Sequence, residues 1–160
     1  MSNHLNLLHI LLALSAGACF YFAAWEARRR TIRFRRLFWP PWSGLVAALL
    51  LMFFQFGMKQ PLWPFLAALL LGVAVGGTRG LTMKLEVDEY WLVVRPPGPR
   101  TLVWVAVVLV AAVAVDIAGA IVGPAGRIWR FPAALVAMVC AGLLFGRALA
   151  VAARVWRLNR

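Results

Sequence analysis

Acidic and imidazole side chains are scarce in this chain: its 160 residues carry five Asp or Glu and two His, beside two Cys. A metal centre needs three or four converging ligands, and these residues supply no obvious set. His4 and His9 stand five apart on one segment, so they cannot sandwich a haem within one chain. Ser15 and Ser43 are isolated hydroxyls with no base near them in sequence, which argues against a nucleophile–base arrangement. A membrane enzyme is therefore the least supported functional class, and no catalytic residue, metal ligand or cofactor is expected. Cys19 and Cys140 each fall inside an apolar stretch, away from aqueous redox chemistry, and read as small packing residues.

Positive charge is the opposite case. Seventeen Lys and Arg give a net charge of +12. Nucleic acid is not the expected partner, because the basic residues flank apolar stretches and build no separate basic face. Membrane topology and contact with anionic phospholipid account for them, and a structural phospholipid is the one bound molecule this pattern admits.

Hydrophobic residues make up 64% of the chain, more than a soluble domain of this length can bury. The pattern predicts one polytopic unit over residues 1–160, an all-α integral membrane helical bundle of about five transmembrane helices. The spans are expected near 5–25, 43–58, 62–77, 101–122 and 131–152. A span takes about 20 residues, so the second and third are short unless Trp39–Trp42 and Lys59–Pro64 lie in the interfaces. Met58-Lys-Gln-Pro61 reads as the connection of a tight helical hairpin, with Pro61 in the first turn of the third helix. A re-entrant second and third pair is the rival arrangement. The first stretch resembles a signal-peptide core, but Met1-Ser-Asn-His4 has no fixed positive charge, and the arginines follow the stretch. A retained helix is expected.

Five spans place Arg28, Arg29, Arg30, Arg33, Arg35 and Arg36 on the same side as Arg79, Lys84, Arg95, Arg100 and the basic C-terminal end. Only Lys59, Arg127 and Arg130 fall on the other side. The positive-inside rule makes the first side cytoplasmic, with the N-terminus periplasmic and the C-terminus cytoplasmic. Trp25, Trp39, Trp42, Trp104 and Trp156 mark one interface, and Trp63 and Trp129 the other.

Between the third and fourth spans, Leu81-Thr-Met-Lys-Leu-Glu-Val-Asp-Glu alternates and then turns near Asp88-Glu89. This predicts a small cytoplasmic β-hairpin near 81–95, with Met83, Leu85 and Val87 on one face. The acidic residues Glu26, Glu86, Asp88 and Glu89 are expected to pair with the arginine-rich first loop.

The block Gly76-Gly-Thr-Arg-Gly80, closing an apolar stretch and followed by Leu85-Glu-Val-Asp88, resembles a pattern in small bacterial inner-membrane proteins of the CcdC-like type. The likeness covers roughly residues 45–113. It implies a bacterial multi-span inner-membrane protein with a hairpin between adjacent helices, and it carries no catalytic residues. Read from spacing alone, Gly72, Gly76 and Gly80 form a small-residue strip for close helix packing, as do Gly119/Gly123 and Gly142/Gly146. Arg79 and Arg147 are expected to snorkel from helix ends to the headgroups.

Asp116 lies inside the fourth apolar run, where an ionisable group is costly without a partner. His9, at a similar expected depth, is the first candidate partner; Gln55, Arg127 and Arg130 are the others. A polar contact within the bundle, a contact to another subunit, and a proton-carrying role all remain open. The expected function is an accessory, structural or assembly subunit of a bacterial inner-membrane complex, in contact with other membrane subunits or a second copy. A small proton or solute transporter using Asp116 is the alternative.

Overall fold

The computed structural model describes residues 2–28, 32–33, 38–56, 61–82, 86–88, 93–95 and 99–158. Its helices are α1 (Ser2–Arg28), α2 (Trp39–Phe56), α3 (Trp63–Thr82), α4 (Pro99–Val122) and α5 (Arg127–Leu158). Three short strands join them, β1 (Ile32–Arg33), β2 (Glu86–Asp88) and β3 (Val93–Arg95). A 3-10 turn, Gly123–Gly126, links α4 to α5.

Leu7–Arg28, Trp63–Thr82, Thr101–Val122 and Ile128–Arg157 are each long and apolar enough to cross a bilayer. The chain is a multi-pass membrane protein. The apolar part of α2, Trp39–Phe53, is shorter. The whole 18-residue helix rises about 27 Å, close to the ~30 Å of a hydrocarbon core.

Local chemistry explains the helix ends. Pro40 and Pro41 occupy the first turn of α2, where a missing N–H costs nothing, and the Ser43 hydroxyl donates to the carbonyls of Trp39 and Pro40. Pro61 precedes α3 instead of opening it; Pro64 fills the first turn, and the Leu62 carbonyl accepts from the N–H groups of Phe65 and Leu66. The far end of α3 is closed from outside. Arg154 of α5 donates to the carbonyls of Gly80 and Leu81 at 3.4 and 3.1 Å, satisfying last-turn acceptors that have no partner within their own helix.

Helices α1, α2, α5 and α4 pack in a closed ring, each on its two neighbours, and α3 lies outside that ring against α5. The ring interior holds Leu12, Cys19, Leu51, Leu109, Met138 and Leu144, all buried. Helix α5 packs on three others and is the most buried of the candidate spans. The expected tight hairpin of the second and third helices does not form as a packed pair: α3 makes its extensive contact with α5, and none comparable with α2. The physical reason is the glycine strip of α3, whose complement lies on α5. Residues 57–60 of the connection lie outside the described residues.

The helical bundle is as expected, but the two-stranded β-hairpin expected over 81–95 is corrected. Leu81 and Thr82 are the last residues of α3, not a strand. The described strand residues form a three-stranded antiparallel sheet in the order β1-β3-β2, and its third strand comes from the α1–α2 connection. Ile32 pairs with Val94 and Arg33 with Val93, while Glu86, Val87 and Asp88 pair with Arg95, Val94 and Val93. An isolated two-stranded ribbon is marginal, and a strand on the second edge of β3 relieves that. Met83 and Leu85 lie outside the described residues.

Candidate functional site

Among the described residues, two buried ion pairs end on α5. Arg130 Nε donates to Asp116 Oδ1 at 2.9 Å, joining α5 to α4. Asp116 is fully buried and the arginine side chain nearly so, at 13% exposure. The second Asp116 oxygen, Oδ2, is buried with no hydrogen-bond partner among the described residues.

Glycine makes the first pair sterically accessible. A Cβ on Gly119, one turn beyond Asp116, would meet Arg130 Cγ at 2.9 Å and the Gly126 carbonyl oxygen at 3.0 Å. A Cβ on Gly126 would fall on the Gly119 carbonyl. The end of the 3-10 turn therefore lies directly on the backbone of α4, and the Arg130 stem crosses Gly119 to reach the carboxylate. Gly123 does something else. It has φ +80° and open space around its Cβ position, so it reverses the chain and is not the packing partner of Gly119 that the spacing predicts.

The second pair joins α5 to α1. Arg147 Nη2 donates to Glu26 Oε1 at 3.3 Å, with both side chains largely buried. Two expectations are corrected here. Arg147 does not snorkel to the headgroups, and Glu26 pairs across the bundle instead of with the first loop. The cause is helix length: α1 continues through Arg28, beyond the expected end near residue 25, so Glu26 stays on a helix face that looks inward. Arg130 and Arg147 are separated by about 25 Å along α5. The two pairs thus sit towards opposite ends of the bundle.

The glycine strips of α3 and α5 interlock. A Cβ on Gly72 would fall on the Val139 carbonyl, one on Gly76 on the Leu143 carbonyl, and one on Gly80 within 2.7 Å of Ala150 Cβ. Conversely, Gly142 faces the Leu69 carbonyl and Gly146 the Val73 carbonyl. Numbers rise together on both helices, so α3 and α5 run parallel at backbone contact, as small-xxx-small pairs allow. Phe65 and Phe131 stack edge-on, with ring centroids 5.6 Å apart, where both helices begin.

The remaining candidates are dispersed. His9 is half-buried on α1, while the Asp116 carboxylate receives Arg130 of α5. Gln55 is in α2, with its side chain outside the described residues. Arg28 is exposed at the end of α1, Arg79 is exposed on α3, and Arg29 and Arg30 lie outside the described residues. Gly126 and the Glu26–Arg147 pair went unrecognised in the sequence. Their available signal was numerical: the two acidic residues within apolar helices, Glu26 and Asp116, each have an arginine on the last helix. Among the described residues, no group of three or more His, Cys, Asp or Glu could hold a metal ion.

Comparison of the chain with protein-family models, with curated proteins and with solved structures gives no match.

Proposed function

We propose that this protein is an accessory or assembly subunit of a membrane complex, a fixed helical scaffold whose buried charges fasten helices together. The observation that carries this reading is the use of Asp116: its Oδ1 is bound by Arg130 from the adjoining helix, beside the close Gly119–Gly126 contact. Breaking a buried charge pair is costly, so such a pair suits a part that holds its shape. The interlocked glycines of α3 and α5 support the same reading, as do the apolar outer faces of α1 and α3, with Leu7, Leu14, Leu66 and Leu70 exposed. These faces suit lipid, other membrane subunits or a second copy.

We place the protein in a bacterial inner membrane, consistent with the CcdC-like resemblance, with its N-terminus periplasmic and its C-terminus cytoplasmic. The arginine-rich connection after α1 supports that orientation through the positive-inside bias. Strand pairing between the α1–α2 and α3–α4 connections adds that both lie at one end of the bundle.

Purification of the full chain from its native membrane in a gentle detergent tests the assignment. Expected is a complex of fixed stoichiometry with a defined larger assembly, and loss of that assembly when the chain is deleted. Transport is the second reading, and the buried Asp116 Oδ2 without a hydrogen bond among the described residues favours it. A chain that purifies alone and carries protons in reconstituted vesicles, with the flux abolished by Asp116→Asn, would replace the scaffold with a transporter.

A further inference from the structure

Gly44 of α2 gives a common level for three other helices. A Cβ placed there would meet Leu144 Cδ1 of α5 at 3.2 Å, Cys19 Sγ of α1 at 3.4 Å and Leu109 Cδ2 of α4 at 3.6 Å. Helix α1 runs parallel to α5, since Cys19 and Glu26 meet Leu144 and Arg147 in the same order. Helix α4 runs opposite to both, because Asp116 follows Leu109 while its partner Arg130 precedes Leu144. Asp116 lies seven residues from Leu109, about 10.5 Å along α4 towards the end where α5 begins. The same distance from Cys19 along α1 reaches Leu12, and His9 lies three residues, about 4.5 Å, beyond it.

The flank of α1 is fixed as well. Leu12, Ala16, Cys19, Ala23 and Glu26 are buried and mark its inward face. Ser15 and His9 each stand three residues from Leu12 in opposite directions, so they lie on opposite flanks of that face. Ser15 borders α2, lining a groove with Trp39, Ser43 and Val46. His9 is therefore on the α4 side, because α2 and α4 are the two ring neighbours of α1. Its Nε2 atom is buried, and so is Asp116 Oδ2, which has no hydrogen-bond partner among the described residues.

We infer that one water molecule joins His9 Nε2 to Asp116 Oδ2, and that His9, Asp116 and Arg130 form a proton-binding site. An axial offset of about 4.5 Å is beyond a direct hydrogen bond and within the reach of one bridging water, held between Oδ2 and Nε2. Asp116 and Arg130 balance each other's charge, and imidazole is the group here whose charge changes between about pH 5 and 8. Among the described residues, the facing helices bring no other ionisable side chain to this level: α2 has none over Trp39–Phe56, α4 brings Asp116 and α5 Arg130. With His9 neutral, the water donates to both Nε2 and Oδ2. With His9 protonated, Nε2–H donates to the water, which still donates to Oδ2. The change is the uptake of one proton from the aqueous phase, with no other bond made or broken.

His4→Gln leaves His9 as the one histidine of the full chain, and Asp88→Asn leaves Asp116 as the one aspartate. This variant, carrying 15N-histidine and 13C-carboxyl aspartate, is titrated in detergent by NMR from about pH 8 to 5. Expected is an imidazole titration with the Asp116 carboxyl resonance moving in step, and a cross-peak from bound water to the His9 ring. Adding His9→Gln abolishes the movement of the carboxyl resonance. The first two readouts need no substitution at the site, so the test survives a His9 variant that fails to fold. These groups belong to the chain whether or not it joins a larger assembly, so failure here leaves the assembly assignment standing. A carboxyl resonance that stays fixed while His9 titrates overturns the inference, as does an imidazole with no titration or no bound-water cross-peak.

Discussion

Arg130 Nε lies 2.9 Å from Asp116 Oδ1, and the arginine reaches that carboxylate by passing over Gly119, a residue with no side chain to block it. A charge that would be costly alone in hydrocarbon is thereby met within its own chain. The pair is a helix-to-helix tie, fourteen residues apart in sequence and closed by the Gly123–Gly126 turn.

Gly119→Leu is expected to break that tie without altering either charge. The new side chain collides with Arg130 Cγ and the Gly126 carbonyl, and overpacking of this kind costs about 1–3 kcal/mol. Thermal unfolding in detergent checks it. A variant as stable as the parent would show that α4 and α5 do not need this approach.

Gly76 and Gly77 should behave oppositely although they are neighbours. A Cβ at Gly76 falls on the Leu143 carbonyl, whereas at Gly77 the nearest atom, the Gly146 carbonyl oxygen, is 4.0 Å away. Gly76→Ala is predicted to loosen α3 from α5 and lower the melting temperature. Gly77→Ala should be neutral or slightly stabilising, since alanine favours a helix over glycine by about 1 kcal/mol. Equal effects at the two positions would contradict the interlocked strips.

Gly123→Ala is expected to cost about 1–2 kcal/mol through backbone strain alone, because φ is +80° and no atom crowds the Cβ position. Gly123→Asn should recover part of the loss, asparagine tolerating that region better than alanine. Unfolding curves of the two variants separate strain from packing.

Glu26→Gln leaves Arg147 buried without its counter-charge, and a loss of about 3 kcal/mol is expected. Glu26→Gln combined with Arg147→Met removes both charges and should recover much of it. A Glu26→Gln variant of unchanged stability would return Arg147 to the headgroup region.

Much of the helical framework was legible because long apolar runs admit few alternatives. The glycine strips were legible because a four-residue spacing puts small residues on one helix face. The pairing of those strips was not: spacing says that a face is flat, and does not say which flat face meets it. Chain order suggested α2 as the neighbour of α3, whereas the backbone contact is with α5. Arg130 was among the candidate partners of Asp116, but the Glu26–Arg147 pair, and the helical setting of both pairs, were hidden for a different reason. Hydrophobicity marks where apolar runs stop, but α1 continues to Arg28 and α5 begins at Arg127, so Glu26 and Arg130 are helical although they flank the expected spans. The third strand escaped notice because a two-residue strand has no period to detect.

A double-mutant cycle on Asp116 and Arg130, read as unfolding free energy in detergent, tests most directly whether the buried charges serve the fold. Asp116→Asn and Arg130→Gln are each predicted to destabilise the protein, and the double variant to lose at least about 1 kcal/mol less than the sum of the two. Strict additivity, or an Asp116→Asn variant as stable as the parent, would contradict the account.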